Sequence, residues 1–283
     1  MIKVLKAGFY ASIQDNGRVG FASKGIPISG VMDSYSANIA NSIVDNSLEE
    51  AVLEITFGGV KLQFLADTFI CISGGNFSPK INNLPVLMNS RIRILKNDIL
   101  TFGKIHFGVR CYLAVKDGFQ SEKILKSRSF YQNITDTSVI QKNSFLSINK
   151  IDATLKSTNT YIKVLKSHFE TNQIRCYKGP EFELLNKNHQ QQLFEKLFTI
   201  SNDNNRMGYR LNEAIENNLP SILTSAVLPG TVQLTSSGKL IVLMRDCQVT
   251  GGYPRILQLS ENAINQLSQK TTNSDFKFVL ESL

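Results

Sequence analysis

The residues best suited to chemistry lie near the C-terminus, directly after an apolar run. Residues 240–244 are predicted to form a buried strand, and a polar segment follows at once. Side chains at the end of a strand have rigid support, and adjacent glycines let backbone N–H groups approach a ligand. The segment therefore predicts a binding site, with an ordinary strand end and turn as the alternative. Its candidate residues are Asp246, Gln248, Thr250, Gly251, Gly252 and Tyr253.

Two segments near the N-terminus could also contact a ligand. Asp-Asn-Gly at 15–17 suits a tight turn that presents Arg18, although a plain hairpin has the same pattern. Residues 25–33 lead into a predicted helix that Asp33 can cap. Because a helix N-terminus favours anions, Ser29 and the Gly30 amide could face a ligand.

Arginines mark two further candidate segments. Arg128 stands between two serines, where it could bind a carboxylate or phosphate in a forked geometry, or belong to a basic surface turn. Residues 202–211 are rich in asparagine and are predicted to form an irregular, ligand-facing loop carrying Arg206 and Arg210. A polar loop with one structural arginine is the alternative.

Several chemistries are not supported. The sequence lacks a Walker phosphate loop, a Gly-x-Gly-x-x-Gly fingerprint and a Gly-x-Ser-x-Gly elbow. Four widely spaced cysteines argue against a zinc ribbon or a disulfide framework, and only Cys247 adjoins a polar cluster where a thiol could be reactive. The three histidines are not at metal-ligand spacing, so no metal site is predicted.

Composition limits the partners. The chain has 283 residues and a net charge of +8, but its lysines are scattered, so nucleic-acid binding is not expected. No apolar run approaches the roughly 20 residues of a membrane span. The N-terminus alternates like a strand and lacks a signal-peptide core, which favours the cytoplasm.

The remaining pattern is mainly β with a few helices, typical of a sandwich or barrel. Helices are predicted after Asp33, over 184–198 and from Ser260. The polar region 132–159 is the predicted linker between domains 1–155 and 160–283, and the echo of residues 2–6 in 162–166 suggests related halves. Predicted strands cover 51–57, 60–64, 68–73, 92–95, 99–102 and 110–115.

Seven blocks, in order along the chain, carry a family resemblance. They are Gln14-Asp15-Asn16-Gly17-Arg18, Ser29-Gly30-Val31-Met32-Asp33, Leu53-Glu54, Ser127-Arg128-Ser129, Gly179-Pro180-Glu181, Arg206-Met207-Gly208-Tyr209-Arg210-Leu211 and Thr250-Gly251-Gly252-Tyr253-Pro254. Together they resemble the biotin-dependent carboxyltransferase-like family. This family includes the C subunit of 5-oxoprolinase, the second subunit of allophanate hydrolase, a sporulation-kinase regulator and part of urea carboxylase.

The resemblance implies two tandem cyclophilin-like β-barrel domains, 1–155 like carboxyltransferase subdomain A and 160–283 like subdomain B. It also implies the C component of a 5-oxoprolinase, which acts with an A-like protein and a paralogous B-like protein. Such a complex uses ATP to open the lactam of 5-oxo-L-proline to L-glutamate. Since no Walker loop is present, ATP is expected to bind to a partner or in the complex.

The same resemblance suggests roles for the site residues. Asp246 or Glu54 would act as the general base or hold a water, and Arg206, with Arg210 and Arg128, would neutralise phosphate or carboxylate charge. Substrate binding would fall to a second set: Arg128, Arg210, Gln248, Thr250, Gly251, Gly252, Tyr253, Ser29, Gly30, Asp33 and Arg18. The sequence departs from the family pattern at Cys247, Val249, Asn205, Lys126 and Phe130, which leaves the exact substrate open.

Two other functions fit the resemblance. One is a carboxyltransferase module of a urea carboxylase-like system, which would need biotin on a separate carrier. The other is a non-catalytic regulator that acts through its paralogous partner.

Overall fold

The computed structural model describes residues 1–150 and 161–281. Contacts divide the chain into two compact units. Unit 1 comprises Met1–Arg18 and Asp33–Lys166, and unit 2 comprises Val19–Met32 and Ser167–Leu283. Strands predominate in both units, which confirms the mainly β prediction.

Unit 1 arranges its strands in two sheets over a shared apolar core. One sheet has the order β11-β1-β4-β9-β6-β7 and the other β2-β3-β10-β5-β8. The strands are β1 Ile2–Ala7, β2 Tyr10–Gln14, β3 Val52–Thr56, β4 Val60–Phe64, β5 Thr68–Asn76, β6 Lys80–Ile81, β7 Leu84–Pro85, β8 Ile92–Ile94, β9 Ile99–Thr101, β10 Phe107–Val115 and β11 Phe145–Leu146.

The helix of unit 1, α1, spans Ser34–Ile43. Asp33 caps it, because the carboxylate accepts hydrogen bonds from the Ser36 amide at 3.2 Å and the Ser36 hydroxyl at 2.6 Å. The predicted start of this helix is therefore confirmed.

Unit 2 closes seven strands into a barrel with the order β12-β19-β16-β17-β14-β13-β20. A two-stranded ribbon, β15 with β18, accompanies it. The elements are α2 Ser167–Glu170, β12 Gln173–Lys178, α3 Lys187–Glu195, β13 Phe198–Asn204, β14 Gly208–Ala214, β15 Ser225–Ala226, β16 Thr231–Leu234, β17 Lys239–Leu243, β18 Thr250–Gly251, β19 Arg255–Leu259, α4 Glu261–Ser268 and β20 Asp275–Leu280.

The helices of unit 2 match the predictions in part. The predicted start of a helix at Ser260 is confirmed, since the Ser260 side chain caps α4. The predicted helix over 184–198 is too long at both ends. Asn186 caps α3 through the His189 amide, and Phe198 instead begins β13, where its ring is buried in the barrel core.

The prediction of an irregular loop over 202–211 is wrong. This segment forms most of the β13–β14 hairpin, because the Asn205 side-chain oxygen accepts hydrogen bonds from the amides of Met207 at 2.7 Å and Gly208 at 3.3 Å. These bonds close a tight turn. The run of polar residues in this segment is also typical of a long loop, which explains the wrong prediction.

The predicted linker 132–159 also differs from the structure. Ile140 and Leu146 are buried in the core of unit 1, and β11 pairs with β1, so residues up to 150 belong to that unit. Residues 151–160 lie outside the described part of the chain. The echo at 162–166 is not a strand.

One segment departs from the predicted domains 1–155 and 160–283. Residues 19–32, although early in the chain, pack with unit 2. Met32 is fully buried in the barrel's core cluster, beside side chains from the C-terminal half of the chain. Unit 2 is therefore assembled from two separated stretches of sequence.

Within the described residues, no helix has the length and apolar character needed to cross a membrane. Across 1–150 and 161–281, no three His, Cys, Asp or Glu side chains are grouped as metal ligands.

We predict that Met32→Ala destabilises unit 2. Removing a buried methionine side chain costs about 2–5 kcal/mol. Hydrogen exchange should therefore become faster for the barrel amides of β12–β20 than for those of unit 1. Met207→Ala is the control, since Met207 is 47% exposed and its truncation should leave exchange unchanged. Faster exchange confined to unit 1 would contradict the assignment of this segment.

Candidate functional site

A pocket of about 280 Å³ lies on unit 2, and its floor is the outer face of the barrel. Gln233 on β16 pairs with Ile241 on β17, which pairs with Arg210 on β14. Directly paired residues project to the same face of a sheet, so these three side chains share one face. Their neighbours in the next row, including Val232 and Val242, belong to the barrel core. The Gln233 row therefore faces outward.

Two chain segments form the walls of this pocket. The turn of the β13–β14 hairpin contributes Asp203, Asn205 and Met207, and the loop after β17 contributes Gln248 and Tyr253. At the rim, Arg210 Nε lies 2.6 Å from Asp203 Oδ2, and both side chains are more than half exposed.

The ribbon formed by β15 and β18 covers part of the outer face. The Ile222 amide donates to the Gly252 carbonyl at 3.0 Å, and the Val227 amide donates to the Val249 carbonyl at 3.1 Å. Beneath the ribbon, Val227, Leu243 and Cys247 form a small apolar cluster. Gly251 of the ribbon packs against Gln233, which is buried although it faces outward.

A buried ion pair connects the two walls. Arg206 lies in the hairpin turn, and its Nε and Nη2 donate to the two carboxylate oxygens of Asp246 at 2.8 and 2.9 Å. The backbone repeats the connection, since the Asp246 amide donates to the Arg206 carbonyl at 2.8 Å. Such two-point pairing fixes both position and orientation.

The same pair holds the segment 19–32. The Ser29 hydroxyl donates to Asp246 Oδ1 at 2.7 Å, and Arg206 Nη2 donates to the Gly30 carbonyl at 2.6 Å. The Ser29 amide donates to the Arg245 carbonyl at 3.0 Å. Ser29 and Gly30 therefore bind other parts of unit 2 through the groups that the structure describes, and neither lines the pocket.

This geometry favours a positioning role for Arg206 and Asp246 over direct chemistry. Both side chains are buried, and both Asp246 oxygens accept hydrogen bonds from Arg206. Neither residue is among those that line the pocket. Their predicted parts as phosphate-binding cation and general base stay predictions.

A second arginine–carboxylate pair, Arg255 with Glu181, positions the ribbon. Glu181 accepts hydrogen bonds from Arg255 Nη2 at 2.8 Å and Nε at 3.0 Å, while Arg255 Nη1 donates to the Ala226 carbonyl in β15 at 3.0 Å. These bonds from Arg255 lower the pKa of Glu181. Gly179 is required nearby, because a Cβ there would lie 2.2 Å from the Arg255 carbonyl oxygen. The block Gly179-Pro180-Glu181 therefore holds the start of β19 in place.

In unit 1, Asp15 is the centre of a polar cluster. Its carboxylate accepts hydrogen bonds from the hydroxyls of Ser127 at 2.6 Å and Ser129 at 2.7 Å, and from the amides of Gly17 and Arg128. The two serines that flank Arg128 therefore bind Asp15 and are engaged within the protein. The blocks at 14–18 and 127–129 form one structural clasp.

The two arginines of this clasp make contacts within unit 1. Arg18 is fully buried, contrary to its predicted presentation from the turn, and its Nη2 donates to the Ser129 carbonyl. Arg128 donates to the Ser121 carbonyl and, at 2.8 Å, to the Gln120 side chain. The roles predicted for them in substrate binding stay predictions.

Glu54 and Asp33 belong to a second buried network of unit 1. Tyr112 donates its hydroxyl proton to Glu54 at 2.9 Å and accepts a hydrogen bond from the Asp33 amide at 2.8 Å. Arg110 Nε lies 3.9 Å from Glu54 Oε1. Burial, followed by the nearby carboxylates of Glu54 and Asp33, raises the pKa of Tyr112 well above its usual value. Tyr112 is therefore a neutral hydrogen-bond donor at physiological pH.

Cys247 is also unsuited to nucleophilic chemistry. Burial, and secondarily the charge of Asp246, raises the pKa of its thiol to about 12. Because the thiolate is the reactive form, the thiol is inert at neutral pH.

The predicted site residues thus separate into distinct groups. Arg210, Gln248 and Tyr253 line the pocket, and Thr250, Gly251 and Gly252 form or adjoin the ribbon beside it. Sequence reasoning missed Gln233 and Asp203. Asp203 could have been predicted, because it lies across the hairpin turn from Arg210 and carries the opposite charge. Gln233 had no such signal, because a polar residue in an alternating strand predicts exposure, whereas in the structure Gly251 of the ribbon packs against its side chain.

We predict strong coupling between Arg206 and Asp246. Replacing either by Ala should lower stability by about 3–5 kcal/mol, because the remaining charge is buried without its partner. The double variant should lose clearly less than the sum of the single losses. Hydrogen exchange of barrel amides gives the opening free energies. The exposed Arg175–Glu281 pair, at 3.3 Å, is the control cycle and should couple by under about 1 kcal/mol.

We also predict a pH-dependent contribution from Glu181. Its pKa is lowered in the folded state, so its stabilisation is complete above its unfolded pKa of about 4.3 and is lost as pH falls through the folded value. Glu181→Gln should cost on the order of 1 kcal/mol at neutral pH and progressively less in acid. Exposed Glu216→Gln is the control. If the stability difference between the unmodified protein and Glu181→Gln grew as pH fell below about 4.3, the prediction would be contradicted.

Comparison with known proteins agrees with this architecture. A family model described as carboxyltransferase domain, subdomain A and B, matches residues 24–280. The chain is 31% identical over 289 residues to the C subunit of 5-oxoprolinase from Escherichia coli (strain K12), covering 100% of this chain and 92% of that protein.

Yeast proteins match as part of much longer chains. Urea amidolyase of Lachancea kluyveri is 39% identical over 130 residues, which cover 46% of this chain and 7% of that protein. The crystal structure of K. lactis urea amidolyase superimposes with a TM-score of 0.86 and 26% identity, covering 99% of this chain and 19% of that one. The chain therefore belongs to the family of carboxyltransferase domains that combine subdomains A and B.

Proposed function

We propose that this chain is the C component of an ATP-dependent 5-oxoprolinase complex that opens 5-oxo-L-proline to L-glutamate. The observation that carries the proposal is similarity along the whole chain to the C subunit of a bacterial 5-oxoprolinase, at 31% identity over 92% of that protein. Because that relative is named as a subunit, we infer that this chain also acts with partner proteins. We take these to be one A-like protein and one paralogous B-like protein. We place the complex in the cytoplasm, where ATP is available.

The chemistry requires activation of a stable amide. Transfer of the terminal phosphoryl group of ATP to the lactam oxygen would release ADP and make the ring carbon more electrophilic. Water can then add, the C–N bond can break as the nitrogen takes up a proton, and a second water can hydrolyse the resulting acyl phosphate to L-glutamate and inorganic phosphate. Fixed cations stabilise the negative charge that develops during such steps. Arg210 is the cation among the described residues that line the pocket, and we assign it this anion-binding role.

ATP itself fits this pocket poorly. A triphosphate needs several cations or a glycine-rich cradle, and Arg210 is the single cation among the described residues that line the pocket. The volume of about 280 Å³ is at the small end for ligand pockets. We therefore assign the ATP site to a partner protein or to the assembled complex.

Carboxyl transfer is the second candidate, and the similarity to urea amidolyase favours it specifically. In that case, a biotin carrier would deliver the carboxyl group to this chain. A regulator that binds its paralogous partner without catalysis is the third possibility.

Reconstitution separates these functions. The chain is mixed with its A-like and B-like partners, and glutamate and ADP are measured from 5-oxoproline and ATP, with each protein and ATP omitted in turn. Release that requires all components is expected. Carboxylation that depends on a biotinylated carrier and bicarbonate, without glutamate release, would favour the second candidate. Complex formation without either reaction would favour the third.

Arg210→Ala should lower kcat/KM of the reconstituted complex about 10- to 100-fold, since a charge-assisted hydrogen bond to an anion is lost. Arg175→Ala is the matched control, because Arg175 also lies on a barrel strand and pairs with an exposed carboxylate, but does not line the pocket. Equal effects of the two substitutions would refute the assignment.

A further inference from the structure

The side-chain amide of Gln233, on the pocket floor, carries a donor that the described residues leave unsatisfied. The side chain is 1% exposed, and its Nε2 has no hydrogen-bond partner among the described residues. A buried donor without a partner is destabilising, because it has lost its hydrogen bonds to water. Gln233 also lines the pocket, so an oxygen atom bound there could supply the missing acceptor.

Gly251 leaves the space that this amide occupies. A Cβ atom on residue 251 would lie 2.4 Å from Gln233 Nε2 and 3.4 Å from Gln233 Cδ. Any larger residue would therefore displace the end of the glutamine side chain. The first glycine of the Gly-Gly-Tyr-Pro turn is thus explained by the position of Gln233.

Arg210 supplies a second recognition group in the same row of the barrel. Its pairing with Asp203 is exposed to solvent, and exposed ion pairs contribute little to stability. A ligand carboxylate can therefore replace Asp203 as the partner of the guanidinium at low cost. Arginine binds carboxylates through two parallel hydrogen bonds.

From these observations we infer that the pocket binds a small carboxylate that also carries an amide-type carbonyl oxygen. Gln233 Nε2 donates to the carbonyl oxygen, and Arg210 binds the carboxylate. Gln233 is then the specificity-determining residue, because it discriminates an amide-bearing acid from a simple amino acid. The inference deepens the proposed function and rests on it for the class of the ligand, because Gln233 Nε2 by itself requires only an acceptor oxygen.

Calorimetric titration of the full chain tests this ligand class. The probes are 5-oxo-L-proline, L-proline, which lacks the lactam carbonyl, and 2-pyrrolidinone, which lacks the carboxylate. Binding of 5-oxoproline at least about tenfold tighter than either analogue is expected, since each loses one charge-assisted or buried hydrogen bond. Absence of 5-oxoproline binding, or equal binding of all three compounds, would overturn the inference.

A pair of glutamine variants separates recognition from stability. Gln233→Leu should weaken 5-oxoproline binding about tenfold or more while stability is unchanged or higher, because it removes an unsatisfied donor. Gln190→Leu should lower stability and leave 5-oxoproline binding unchanged. Gln190 is also largely buried, but its amide donates to the Leu185 carbonyl at 2.9 Å and lies outside the pocket. Unchanged binding by the Gln233 variant would refute its role.

The outcome can be distinguished from failure of the proposed function. If the reconstituted complex releases glutamate but Gln233→Leu leaves kcat/KM unchanged, the pocket assignment fails and the function stands. If the chain binds 5-oxoproline through Gln233 but the complex releases no glutamate, the pocket stands and the function fails.

Discussion

The architecture of unit 2 depends on one buried ion pair. Arg206 and Asp246 satisfy each other through two hydrogen bonds, and the Ser29 hydroxyl and Gly30 carbonyl complete the set. Three segments distant in sequence therefore meet at one charge cluster. Burying two charges is costly, and the cost is offset only when geometry and additional hydrogen bonds are good. This cluster meets that condition, so it specifies one arrangement of the hairpin turn, the strand-end loop and the segment 19–32.

The same physical device recurs elsewhere in the chain. Asp15 gathers the hydroxyls of Ser127 and Ser129, and Glu181 holds Arg255. In each case, a carboxylate accepts several hydrogen bonds from groups far away in sequence. Several blocks that carry the family resemblance therefore act as clasps between segments. Their side chains fix the relative positions of the segments that they join.

Local patterns were sufficient for much of the fold. Alternation located β4 at 60–64, and the capping residues Asp33 and Ser260 located two helix starts. The site was harder, because its properties arise from contacts that sequence spacing does not reveal. Arg206 and Arg210 are four residues apart, yet one is buried in an ion pair and the other lies at the pocket rim. Gln233 is buried although it faces outward, and Gly251 of the ribbon packs against its side chain.

The membership of residues 19–32 in unit 2 has a consequence for synthesis on the ribosome. Met32 emerges long before Arg206 and Asp246 exist. At translation rates of about 5–20 residues per second, the segment waits roughly 10–40 s for these partners. During that interval its apolar side chains, Val31 and Met32 among them, lack the core that later buries them. The nascent chain is therefore most exposed to chaperone binding and to premature association between neighbouring copies in this window.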